Sequence, residues 1–110
     1  MKIERLDQDG TTIFVFEGRL DTNTTSHIDP LFSAAFSEGA RKFIWDFEKL
    51  TYISSDGLRA ILHALKRIGS EGKLVICAPK PMVMDLFDIS GFKTLLTITP
   101  DRSSALKTLA

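Results

Sequence analysis

Residues 51–62 read TYISSDGLRAIL, and the order of element types follows from this stretch. Leu50-Thr51-Tyr52-Ile53 is apolar, aromatic and β-branched, as a strand requires. Beyond Gly57, Leu58, Ile61, Leu62, Leu65 and Ile68 recur at helical spacing, so one face of a helix is apolar. Ser54-Ser55-Asp56-Gly57 therefore joins a strand to a helix. Ser and Asp at such a junction cap orphan backbone N–H groups, worth about 0.5–2 kcal/mol. The same free N–H groups and the helix dipole favour an anion, so a phosphate on a hydroxyl here is locally accommodated.

The pattern extends in both directions. Lys2–Asp7 alternates weakly, Asp9-Gly10 is a hairpin signal, and Thr11–Glu17 is rich in β-branched and aromatic residues, so the two segments pair antiparallel. Ile28, Leu31, Phe32, Ala35 and Phe36 share a helical face. Asn23, Thr24, Thr25 and Ser26 are candidate N-caps, Pro30 pushes the helix start late or kinks it, and Gly39 ends it. Lys42–Phe47 and Lys73–Cys77 read as short buried strands. Gly69 and Gly72 close the helix between them. Pro81 suits a helix first turn, with Val83, Leu86, Phe87 and Ser90 facing inward and Gly91 as the stop. Thr94–Ile98 is the last expected strand. Asp101 caps a final helix whose face is Ala105, Leu106 and Leu109. The order β-β-α-β-α-β-α-β-α predicts a mostly parallel α/β sheet of five strands with an antiparallel edge hairpin and four helices.

Length and composition bound the function. The chain has 110 residues with 44% hydrophobic content, the size and makeup of one small globular domain. Lys and Arg total 14, balanced by 14 Asp and Glu, so the surplus of cations that nucleic acid demands is missing. Arg41-Lys42 and Lys66-Arg67 read as solvated surface. No apolar segment is long enough for a signal peptide or membrane span, and a cytoplasmic location is expected. Cys77, the single cysteine, sits in an apolar run and reads as a buried small hydrophobe.

Signatures of catalysis are sparse. The chain has no phosphate-binding glycine loop and no G-x-S-x-G elbow. His27 and His63 stand apart from other metal-ligand residue types and read as helix-surface histidines. Asp46 and Glu48 share a strand face but have no partner nucleophile, and read as loop-facing acids. A receiver-like phosphate acceptor at Asp46 would need further acids after the first strand and a later lysine, and a different element order.

Several motifs together resemble the STAS domain, the module of stand-alone bacterial anti-sigma factor antagonists. They are Gly18-Arg19-Leu20-Asp21-Thr22, Asp46-Phe47 with Leu50-Thr51-Tyr52-Ile53, Ser54-Ser55-Asp56-Gly57-Leu58, Gly72-Lys73-Leu74, Leu86-Phe87-Asp88-Ile89-Ser90-Gly91 and Ser104-Ala105-Leu106. The resemblance spans the chain and implies a mixed sheet with helices mainly on one side. It implies a binding protein with no cofactor, not an enzyme. Such a protein works by partner switching: unphosphorylated, it binds an anti-sigma factor that is also a serine kinase, and the sigma factor is released. Phosphorylation at the start of the second helix ends binding, and a serine/threonine phosphatase restores it.

One position departs from the family pattern, Asp-Ser-Ser-Gly-Leu, in which the residue before Gly accepts phosphate. Here that residue is Asp56. Three outcomes are open: Ser55 or its neighbour Ser54 is the acceptor, Asp56 supplies a permanent charge that partly resembles phosphate, or the protein binds without a phosphoswitch. In the last case it is a non-phosphorylated STAS scaffold, or a subunit of another signalling or transport complex. Asp21 matches the family's acid at the end of the second strand, a neighbour of the switch site like Gly57. Were its carboxylate against Asp56, the two would repel. Leu58, Arg59, His63 and Lys66 are the candidate partner-docking residues.

Overall fold

A computed structural model describes residues 1–110. Five strands form one sheet in the order β1-β2-β3-β4-β5: β1 Lys2–Gln8, β2 Thr11–Leu20, β3 Lys42–Ile53, β4 Lys73–Cys77 and β5 Thr97–Thr99. The helices are α1 Ile28–Ser37, α2 Ser55–Ile68, α3 Pro81–Ser90 and α4 Arg102–Leu109. β1 runs antiparallel to β2, and the other neighbours are parallel. At the β1–β2 turn Asp9 and Gly10 both have positive φ, 52° and 77°, as a tight two-residue hairpin requires.

Each parallel pair is joined by one helix, and the strand order advances one place at every crossover. Crossovers of one hand that step in one direction leave their helices on one face. Accordingly α1, α2 and α3 cover the same side, and side-chain alternation along the strands assigns residues to layers. Phe14, Phe16, Phe43, Trp45, Phe47, Leu74 and Ile76 meet Phe32, Ile61, Ala64, Ile68, Val83 and Phe87 in the main core. Its aromatic centre is tight: the Phe16 ring lies 5.1 Å from Trp45 and 5.2 Å, edge-on, from Phe47. The alternate residues Ile13, Ile44, Val75 and Cys77 face the other way, where Ala105 and Leu109 of α4 cover them.

Several local expectations are met by the backbone. Pro81 opens α3, Gly91 ends it in the left-handed region at φ 80°, and Asp101 caps α4 by accepting from Ser104 N at 2.7 Å. Cys77 is fully buried, and burial, aided by the charge of Asp46, pushes its thiol up to about 12.

Others are corrected. No side chain from Asn23 to Ser26 caps α1. Residues Thr25–His27 form a 3-10 turn, and the helix proper starts at Ile28 with Pro30 in its first turn. Thr24 instead ties the loop to β2, its hydroxyl donating to Arg19 O at 2.8 Å. The strand expected at Lys42–Phe47 runs on to Ile53 without interruption. The strand expected over Thr94–Ile98 shrinks to Thr97–Thr99. Phe92–Thr94 instead closes a turn in which Thr94 Oγ1 donates to Gly91 O at 2.9 Å. In α2, Gly57 and Ala64 are buried beside Leu58, Ile61 and Ile68, while Leu62 and Leu65 are only half-buried. Ser90 is exposed rather than inward.

Asp46 is not loop-facing. It projects from mid-β3 onto the α4 side with its side chain 5% exposed, while Glu48 is at the surface. Its Oδ1 accepts from Glu48 N at 3.0 Å, and its Oδ2 lies 2.9 Å from Arg102 Nη2. A buried carboxylate needs such pairing to remain charged.

Candidate functional site

The carboxyl ends of β2 and β3 lie side by side, in register at Leu20 and Ile53. In parallel α/β sheets such ends, where the following helices start, gather the functional groups. Ser54 leaves β3 in extended conformation and its N–H donates to Leu20 O at 2.9 Å, which ties the two strand ends together. Its hydroxyl then accepts from Gly57 N at 3.3 Å, and its carbonyl from Leu58 N at 3.0 Å. Ser54 is thus the N-cap of α2, and its hydroxyl is committed to the backbone. Ser55 follows as the first helical residue and is exposed.

Gly57 is required by close approach. A Cβ there would stand 2.6 Å from Ile53 Cγ1 and 3.0 Å from Leu20 O. The absence of a side chain lets the first turn of α2 rest directly on β2.

Asp56 occupies the first turn of α2, where an acid complements the dipole. Both its oxygens are engaged within the chain. Oδ2 accepts from the Thr22 hydroxyl at 2.5 Å, and Oδ1 pairs with Arg59 Nη1 at 2.8 Å. Asp21 does not share these contacts. Its Oδ1 accepts from Asn23 N at 3.0 Å in a turn of its own, and its Oδ2 faces Arg19 Nε at 3.6 Å. The Arg19 guanidinium also lies 4.1 Å above the Tyr52 ring, so the ends of β2 and β3 are tied a second time.

Two grooves flank α2. The one toward α1, about 350 Å³, has Arg59, His63 and Asp29 on its rim and Ile28 and Phe32 on its floor. The one toward α3, about 430 Å³, is lined by Tyr52, Ile53, Leu58, Leu86 and Ile89, with Ser54, Ser55 and Asp85 at its edge. Of the docking residues read from sequence, Arg59, His63 and Lys66 are exposed on α2. Leu58 is only 6% exposed and meets solvent through the wall of the second groove.

Two features of this surface escape a reading by motif. Thr22 lies outside the helix, and nothing local marks its hydroxyl as the partner of Asp56. On α3, Met82 is 61% and Ile89 84% exposed. A signal for these two was present: Met82, Leu86 and Ile89 are spaced four and three apart, a second apolar stripe beside Val83 and Phe87.

Comparison with known proteins places this geometry in a family. Residues 2–105 match the model of the STAS domain. A Bordetella bronchiseptica protein described as a candidate anti-sigma factor antagonist, BtrV, is 32% identical over 106 residues, covering 96% of this chain and 91% of its own. The crystal structure of a Thermotoga maritima protein described in the same terms superposes with a TM-score of 0.91 at 18% identity, covering 97% of this chain and 93% of the other. The Bacillus cell fate determinant SpoIIAA in its phosphorylated form gives 0.76 at 21% identity, covering 99% of this chain and 100% of its own. The hairpin edge, the five-stranded sheet and the strand-to-helix junction at Ser54 thus have their counterpart in one recognised module, and the chain belongs to the STAS domain family.

Proposed function

We propose that the protein is an anti-sigma factor antagonist: a binding protein, not an enzyme, that docks onto an anti-sigma factor and so releases the sigma factor. The names of its relatives support the role. The observation that carries it is the surface around the start of α2. Exposed Ser55 and Asp85 edge an apolar groove from which Met82 and Ile89 project, and on the other side of α2 Arg59 and His63 rim a second groove, with Lys66 exposed on the same helix. Apolar anchors with charged groups at the rim are what a protein partner needs. The role is exercised in the cytoplasm, where sigma factors act.

Partner switching would operate at Ser55. Its hydroxyl is at the surface, whereas that of Ser54 caps the helix. An anti-sigma factor acting as a serine kinase would phosphorylate it, and a serine/threonine phosphatase would reverse the change. Asp56 does not stand in for that phosphate, since Thr22 and Arg59 already occupy its oxygens. The unmodified chain is therefore in the binding state.

The test is displacement. Purified chain is titrated into a complex of anti-sigma and sigma factor, and free sigma factor is measured by size-exclusion chromatography. Release of the sigma factor, weakened at least tenfold by Arg59→Glu or Met82→Asp, is the expected result. Failure to release it sinks the role.

The second reading, a STAS scaffold or subunit of another complex without a phosphoswitch, is favoured by Asp56 at the family's usual acceptor position. Incubation with the kinase and ATP, followed by mass spectrometry, separates the two. Phosphate on Ser55 supports switching, and stable binding with no phosphate supports the scaffold.

A further inference from the structure

The two edges of the sheet are unlike. β5 is three residues long, and so short an edge offers little to pair with. β1, at the other edge, runs from Lys2 to Gln8 with no bulge in its register against β2 and no proline to blunt it. None of its backbone groups bonds to anything in the chain except β2. In a two-residue hairpin the flanking pair, here Gln8 and Thr11, exchanges both ladder hydrogen bonds, and bonded and unbonded pairs alternate from there. The contact between the Thr12 hydroxyl and Asp7 Oδ1 at 3.2 Å fits the closely set, unbonded pair that comes next. Lys2, Glu4 and Leu6 therefore turn their N–H and C=O groups to β2, and Ile3, Arg5 and Asp7 turn theirs outward.

The side chains along this edge are self-complementary. Ile3 packs against the main core, so Lys2 and Glu4 stand on the opposite face of the sheet. Both are exposed, and neither has an ionic partner in the chain, whereas Arg5 is held by Glu38 at 2.7 Å and by Asp7 at 3.3 Å.

We propose that β1 is an interface for a second copy of this chain, the two strands pairing antiparallel about a twofold axis at Ile3. In that register Ile3 and the partner's Ile3 exchange two backbone hydrogen bonds, and Arg5 does the same with the partner's Met1. Lys2 comes opposite the partner's Glu4, and Glu4 opposite the partner's Lys2, so one face carries two reciprocal ion pairs. Pairing centred on Glu4 or on Arg5 would instead set like charges against each other, so charge selects the Ile3 register. The area covered is that of a few strand residues per copy, less than the roughly 1,000 Å² of a stable interface, and the pair is therefore weak and concentration-dependent. No residue of β1 lines either groove beside α2, so two paired copies display both α2 surfaces at once, as bivalent binding requires. The pairing is independent of the docking role proposed above.

Sedimentation equilibrium of the full chain, from about 10 μM to about 1 mM, tests it. The average mass should rise from one chain toward two, and amide exchange at Ile3 and Arg5 should slow over the same range. Lys2→Glu and Glu4→Lys each turn both ion pairs into repulsions and should weaken self-association about tenfold. A one-to-one mixture of these two variants sets opposite charges together again. It should associate at least as well as the wild type, as should the double variant alone, and this recovery separates lost pairing from a folding defect. A monomer at every concentration overturns the proposal. Association that neither single variant weakens, or a mixture that associates no better than the single variants, overturns it equally.

Discussion

Arg102, at the start of α4, clasps Asp46 of the central strand with two nitrogens, Nε at 3.0 Å and Nη2 at 2.9 Å from Oδ2. The carboxylate is buried and the guanidinium is 37% exposed, so this pair pins the lone helix of the back face to the middle of the sheet. Replacing Arg102 by Met leaves the charge of Asp46 without its partner. We expect a loss of about 1–3 kcal/mol, below the range for a fully buried pair because Arg102 is partly solvated. Urea unfolding measures it. Adding Asp46→Asn to Arg102→Met should recover part of the loss, and a deeper loss in the double variant would show that the pair is not the cause.

The contact between Thr22 and Asp56 joins the β2–α1 loop to α2. A double-mutant cycle with Thr22→Val and Asp56→Asn should give a coupling of about 0.5–1.5 kcal/mol, the usual net worth of a hydrogen bond with some gain from the charge. Additive single effects would mean that the two side chains do not hold each other in solution.

Gly57 permits α2 to rest on the ends of β2 and β3. In Gly57→Ala the new methyl meets Ile53 and the backbone oxygen of Leu20, so the helix start must move. Overpacking of this kind costs about 1–3 kcal/mol. The expected readout is a lower urea midpoint, with amide shift changes concentrated at residues 20–22 and 53–58. Unchanged stability would contradict the close approach.

Asp101 couples α4 to pH. Hydrogen bonds from Ser104, backbone first, hold its carboxyl below the ordinary value of 3.8. A group with a depressed folded pKa stabilises the fold above its unfolded pKa, and that contribution is lost as pH falls through the folded value. The stability curve should therefore drop below pH 3.8 in part through this cap. Asp101→Asn keeps a capping oxygen but cannot titrate, so it should remove that part of the acid slope without unfolding α4 at neutral pH. An unaltered slope would count against the cap as the source.

Much of the candidate site was legible because its chemistry is local. The Ser54 cap bridges three residues, and the cap at Asp101 does the same. Asp56 could be placed at the family's acceptor position by motif alone, but not its partners. Thr22 lies 34 residues away from it, and only the register of Leu20 against Ile53 brings the two together.

The same distinction runs through the fold. The sequence alone determined the order of the elements, the Asp9-Gly10 hairpin, the caps of α2 and α4 and the stop at Gly91. These depend on dihedral preference, hydrogen bonds within a few residues and hydrophobic period. Tertiary structure decided that Arg102 would reach Asp46 across 56 residues, that β5 would keep only three residues, and that Met82 and Ile89 would face solvent while Val83 and Phe87 were buried. An apolar or charged side chain states what partner it needs, but the packing of helices against a registered sheet determines which partner is within reach.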